Sequence, residues 1–118
     1  MEIWQDMEER YRLIMSTIFN AIGCHVEVEK MIATGRIDMV VETTNIIYVL
    51  ELKLSNNGGI DAATEQIRAK QYIEPFKADK RKVIALAIEL DDKGKGLVDW
   101  KALINTRNTS IGMPDLYI

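Results

Sequence analysis

Cysteine and histidine are almost missing from this chain of 118 residues. A single cysteine, Cys24, rules out an intramolecular disulfide, and with only His25 beside it a zinc site lacks its ligands. No apolar run approaches the roughly 18–20 residues of a membrane span, and no basic-then-apolar stretch opens the chain. The expectation is a cytoplasmic protein with no membrane partner. An excess of positive charge is also lacking: 15 Lys and Arg stand against 18 Asp and Glu, a net charge of −3 with pI near 5.2. That balance argues against a protein that coats nucleic acid. It does not exclude an enzyme acting on nucleic acid, because metal ions supply positive charge at such a site. Internal repeats, low-complexity tracts and linker-like stretches are missing as well. What is present, 47% hydrophobic and 28% charged residues, is ordinary for a globular protein and suits one domain over residues 1–118 with a core that needs no staples.

Apolar residues at Trp4, Met7, Tyr11, Ile14, Met15, Ile18, Phe19 and Ile22 recur at helical spacing, so Ile3 to Ile22 is expected to be a helix stopped by Gly23. Val26 to Met31 alternates as a half-exposed strand, and 33–35 is a turn. Ile37 to Glu42 and Ile46 to Leu54 are strong β runs joined by Thr43-Thr44, which makes them a hairpin. The loop 55–59 leads to a helix capped by Asp61 and running to about Ile73, with Pro75 just beyond. Lys82 to Glu89 is an apolar strand, 91–96 a turn, and Leu97 to Ile104 a further strand with Trp100 packed inward. Residues 105–118 show no period: they read either as an unstructured tail or as a segment docked through Met113, Leu116 and Tyr117. The order helix, three strands, helix, two strands predicts an α/β fold, a central mixed sheet of four to five strands flanked by helices.

Within this pattern Glu51 and Lys53 are two residues apart in an otherwise apolar strand, and so face the same way. Burying an acid and a base among Val, Leu and Ile costs free energy unless they are paired or bind something charged. With a turn in which Glu42 faces Asn45, Asp38 lies opposite Val49 and Arg36 opposite Glu51. Asp38 and Glu51 are then diagonal neighbours on one face, roughly 7–8 Å apart. Two carboxylates so placed converge on one hard cation, and Mg²⁺, with Mn²⁺ as substitute, favours oxygen ligands and keeps several waters. The Leu52 carbonyl and a substrate phosphate complete a plausible shell. Lys53 beside the metal would orient or help deprotonate the attacking water. The alternative is a metal-free buried ion pair of Lys53 with Glu51 or Asp38.

Neighbouring residues are open to two readings each. Glu8 lies within about 60° of the centre of the first helix's apolar face, and is either a further acid of the site or a helix-border glutamate. Gln66 and Lys70, one turn apart on the second helix, either reach a DNA phosphate or Glu51, or are solvent-exposed helix formers. The basic run Lys77, Lys80, Arg81 and Lys82, with Lys93 and Lys95 later, is a solvated loop or a phosphate-contacting patch.

The stretch from Gly35 to Glu42 and Ile47 to Leu54, together with Gln66 to Phe76, resembles the PD-(D/E)XK nuclease superfamily. Asp38 stands for its first acid and Glu51-Leu52-Lys53 for its (D/E)XK half. The similarity runs from about Glu8 to Ile104 and is to the nuclease-like domain found C-terminal to bacterial AAA-ATPase-like domains. The resemblance implies a restriction-endonuclease-like fold, metal ligation by Asp38 and Glu51, and Lys53 as the catalytic lysine. Gln66 and Tyr72 match a Gln…Tyr helix motif of the branch related to recombination exonucleases, and Glu8 corresponds to the acid of its N-terminal helix. Two departures stand out. Ile37 occupies the position of the motif proline, and no phosphate loop of the form G-x-x-x-x-G-K followed by Ser or Thr is present, so an AAA-ATPase-like partner domain is absent from this chain. The function expected is a Mg²⁺-dependent nuclease hydrolysing DNA through a metal-activated water. The alternative is an inactive nuclease-fold module that binds nucleic acid or protein, including a second copy of itself.

Overall fold

The computed structural model describes residues 6–104 and the backbone of residues 116–117. Its elements are helix α1 (Met7–Ala21), strands β1 (His25–Ile32), β2 (Gly35–Glu42) and β3 (Ile46–Leu54), helix α2 (Gly59–Ala69), strands β4 (Lys82–Leu90) and β5 (Leu97–Ile104), and a two-residue strand β6 (Leu116–Tyr117). The strands form one sheet in sequence order. All neighbours are antiparallel except β3 and β4, which are parallel and joined through α2. This is the mixed sheet between helices that the sequence predicted. Trp4 and the docking of the tail through Met113, Leu116 and Tyr117 fall outside the described side chains; the backbone of β6 pairs with β5 at Leu103 and Ile104. Among the described residues no helix is long and apolar enough to cross a membrane.

Helix α1 begins at Asp6, whose carboxylate accepts from the amides of Glu8 (3.0 Å) and Glu9 (3.4 Å). It ends as expected at Gly23, whose φ of +98° suits glycine. The Gly23 amide donates to the Asn20 carbonyl and that of Cys24 to Phe19, the paired bonds of a Schellman cap. The apolar face is wider than its cover: Tyr11, Met15 and Phe19 pack on the sheet, whereas Ile14, Ile18 and Ile22 are exposed.

Each face of the sheet carries its own core. Met39, Val41, Leu50, Leu52, Ile88 and Leu90 meet α1. On the other face Val40, Ile47, Val49, Ala85, Ala87 and Leu103 meet Ala63 and Ile67 of α2, with Tyr72 beneath them. Strands covered on both sides read as continuous apolar runs, which explains the sequence of β3 and β4.

Three local expectations are corrected. Asp61 does not cap α2. The helix starts at Gly59, and Glu89 of β4 reaches across to accept from the Ile60 amide (3.0 Å) and the Ser55 hydroxyl (2.6 Å). A carboxylate from a neighbouring strand thus does the work of a local cap. Nor does α2 reach Ile73: it stops at Ala69, and the chain reverses through Gln71 at φ +51°. Trp100 is about half exposed rather than packed inward, because α1 lies over β1 to β3 and leaves that end of the sheet open.

Candidate functional site

The β2–β3 register differs from the expected one by two residues. Val40 pairs with Val49 and Glu42 with Ile47. The turn is shifted because Thr43 closes it: its amide donates to the Ile46 carbonyl, and its Oγ1 accepts from the amides of Asn45 and Ile46. A shift of two keeps every side chain on its face. Continued past Met39–Leu50, this register brings Asp38 directly opposite Glu51 instead of diagonal to it. The ladder itself ends there, and Asp38 replaces it with its side chain: Oδ2 accepts from the Leu52 amide at 2.8 Å.

Around Asp38 gather charged groups from four elements, α1, β1, β2 and β3. Glu51 is almost wholly buried, at 2% exposure, with Oε2 3.7 Å from Lys53 Nζ and Oε1 without a hydrogen-bond partner. Glu8, on the inward side of α1, also has a buried oxygen, Oε2, with no partner. Arg12, the one buried residue of α1, donates from Nη2 to Glu29 Oε2 of β1 at 3.1 Å. Its Nη1 lies 3.8 Å from Glu8 and 3.9 Å from Asp38. Arg36 comes within 3.6 Å of the same Glu29 oxygen. From the α2 side, Gln66 Nε2 donates to the Tyr72 hydroxyl (2.7 Å), which donates to the Arg36 carbonyl (2.8 Å) and also bears on the Glu51 carboxyl. Tyr72 reaches this depth because the reversal at Gln71 turns it under the helix, its amide bonded to the Ile67 carbonyl.

Burial dominates the electrostatics. It raises Glu51 to about 8, with the Asp38 charge adding to the rise and Lys53 and the Tyr72 hydroxyl opposing it. Asp38 is also raised by burial, against the Leu52 amide and the Arg12 charge. Glu8 is raised by burial and by Asp38. The Tyr72 hydroxyl is pushed up, again chiefly by burial.

The sequence-derived residues therefore divide. Asp38, Glu51, Lys53 and Glu8 come together, and Gln66 and Tyr72 support Glu51 from behind. Lys70 does not join them: it caps the end of α2, exposed, with its stem against Gly35. Two members of the basic run are engaged locally: Arg81 binds Asp79, Glu42 and the Thr43 carbonyl, and Lys77 binds Glu74. Arg12 and Glu29 were missed by sequence reasoning. The Glu8–Arg12 spacing of one helical turn was a signal for the first; Glu29 carries none, since only the β1–β2 pairing brings it near.

Among the described residues no three His, Cys, Asp or Glu side chains form a ready metal cage. A small hard cation does not need one, because Mg²⁺ binds through one or two carboxylates and keeps its waters. Two buried carboxylate oxygens without partners and three carboxyls pushed toward protonation show a site short of positive charge. A divalent cation fits that deficit.

An α/β sheet with two facing strand acids and a lysine two residues on, backed by a helix acid, defines a class of phosphodiester-processing proteins. The chain belongs to the PD-(D/E)XK nuclease superfamily, whose family model matches residues 6–100. Members are generally nucleases or phosphodiesterases and typically use divalent metals. A protein of Azotobacter chroococcum mcd 1, "Uncharacterized protein in vnfD 5'region", is 26% identical over 91 residues, which are 77% of this chain and 18% of that protein. The chain thus spans less than a fifth of that relative's length. No solved structure matches it.

Proposed function

We propose that this protein is a Mg²⁺-dependent nuclease that hydrolyses DNA phosphodiester bonds in the bacterial cytoplasm, with Mn²⁺ as a substitute ion. The observation that carries this reading is the meeting of Asp38, Glu51 and Lys53 at the end of the β2–β3 ladder, with Glu51 Oε1 buried and unbonded. Asp38 and Glu51 are the metal-holding carboxylates, and Glu8 offers a third from α1. The chemistry a divalent ion supplies in such a site is an acidified water and a counter-charge for the phosphate. Lys53 is partly exposed beside the acids, placed to orient the attacking water and to hold or pass its proton. Tyr72, held by Gln66, bears on the Glu51 carboxyl, and Lys70, exposed at the end of α2 and away from the acids, is assigned to a DNA phosphate.

Supercoiled and single-stranded DNA should be cut in Mg²⁺ or Mn²⁺ and spared in EDTA. Lys53→Ala and Glu51→Gln should each lower the rate by about 10²-fold or more, with circular dichroism unchanged. Folded wild-type protein that leaves DNA, RNA and branched substrates intact in either metal sinks this reading. The outcome would then favour an interaction module without turnover, pairing with an AAA-ATPase-like domain or a second copy. The exposed Leu13, Ile14, Ile18, Ile22 and Trp100 are the observation on its side.

A further inference from the structure

Glu29 is out of place as an ordinary strand residue. Its φ of +53° lies in the left-handed region that a glutamate rarely enters. It falls where β1–β2 pairing lapses, between Val28–Met39 and Lys30–Ile37, directly across from Asp38. Its carboxylate is half exposed, so neither packing nor burial requires this conformation. What the conformation achieves is a contact: Oε2 takes the hydrogen bond from Arg12 Nη2 at 3.1 Å and stands 3.6 Å from Arg36.

Arg12 has three carboxylates within reach, yet it hydrogen-bonds to one. Its distances to Glu8 and Asp38, 3.8 and 3.9 Å, are ion-pair distances too long for hydrogen bonds. A buried guanidinium free to choose would close on the acids in paired bonds. The Glu29 contact holds it short of them, leaving Glu8 Oε2 without a partner.

We infer that Glu29 is a positioning residue that draws the Arg12 guanidinium away from Glu8 and Asp38, keeping those carboxylates available to a divalent cation. Resting on the metal-dependent reading above, this adds that the affinity for the ion is set in part by a residue that does not touch it. Arg12 supplies charge balance to the acids, and Glu29 prevents it from becoming their permanent counter-ion. Without Glu29, the guanidinium competes with the ion for the same oxygens.

Mn²⁺ binding measured by calorimetry on the full chain, with no substrate present, tests this. Glu29→Gln should weaken binding by about tenfold, the scale of an outer-shell partner. Glu29→Asp, which keeps the charge, should recover part of the loss. Adding Arg12→Gln to Glu29→Gln should remove the loss, since nothing then competes. Melting curves establish that each variant is folded, and should Arg12→Gln not fold, Arg12→Lys in the Glu29→Gln background must recover part of the affinity, because lysine reaches less far and cannot fork. Wild-type affinity in Glu29→Gln, or a loss that persists when Arg12 is also replaced, overturns the inference alone. Wild-type protein that binds no Mn²⁺ overturns it together with the metal-dependent reading.

Discussion

Burial favours the protonated form of Glu51 over a range in which an exposed glutamate is ionised. Burial lifts it from 4.5 to about 8, so between those values the folded protein binds a proton that the unfolded chain does not. The stability attached to that proton is fully present below about pH 4.5 and is lost as pH rises through about 8, at about 1.4 kcal/mol per unit of difference. Asp38 and Glu8 are raised too and act in the same direction. Metal-free protein in EDTA should therefore lose several kcal/mol at most between pH 5 and 9, read as a falling urea midpoint. Glu51→Gln, which has no proton to lose, should flatten much of that slope; an unchanged slope would show that Glu51 ionises freely. Asp79, lowered to about 2 by Arg81, titrates outside this window and does not blur it. At this scale the acids were legible because a charge in an apolar strand is conspicuous. Arg12 was not, because a helical arginine reads as solvated until β1 and β2 are seen to close over it.

The elements were legible to different depths. Strand β3 runs from Ile46 to Leu54 as its sequence predicts, since an apolar run bounded by polar turns leaves little choice. The hairpin register was off by two because the closing bonds come from the Thr43 side chain, and a Thr-Thr pair does not announce which threonine closes the turn. The start of α2 was misassigned for a related reason. Its cap is Glu89, distant in sequence, and no local pattern foretells a residue supplied by a neighbouring strand. That arrangement also explains Gly59, where an added Cβ would lie 2.7 Å from Glu89 Oε1. Glu89→Ala should lower stability by about 1–2 kcal/mol through the unbonded Ile60 amide, seen as a lower midpoint in urea. Gly59→Ala should destabilise as well, by pushing the same carboxylate aside at a φ of +57°. If either variant melts like wild type, the cross-strand cap contributes nothing.

At the scale of the whole molecule, the sheet order follows the chain order, with one parallel step through α2. That simplicity is why the fold class could be read from the succession of elements, while the open end of the sheet at Trp100 could not. The acid cluster lies between α1, β1, β2 and β3, so a cation bound there would add a tie between the helix and the strands to the Arg12–Glu29 contact and the apolar packing already present. Mn²⁺ at a hundredfold excess over its dissociation constant should stabilise the protein by about 2.7 kcal/mol, measured as a rise in melting temperature. Asp38→Asn should abolish the rise, and a rise that survives would place the ion elsewhere. The bond from the Leu52 amide to Asp38 gives this linkage a reporter. One amide proton of the sheet points at a carboxylate whose charge a proton neutralises and, on the proposed reading, a divalent cation would neutralise as well. Its nuclear magnetic resonance frequency should therefore move with pH in the free protein and stop moving once the ion is bound, so that an ordinary backbone spectrum reads the occupancy of the site from inside the fold.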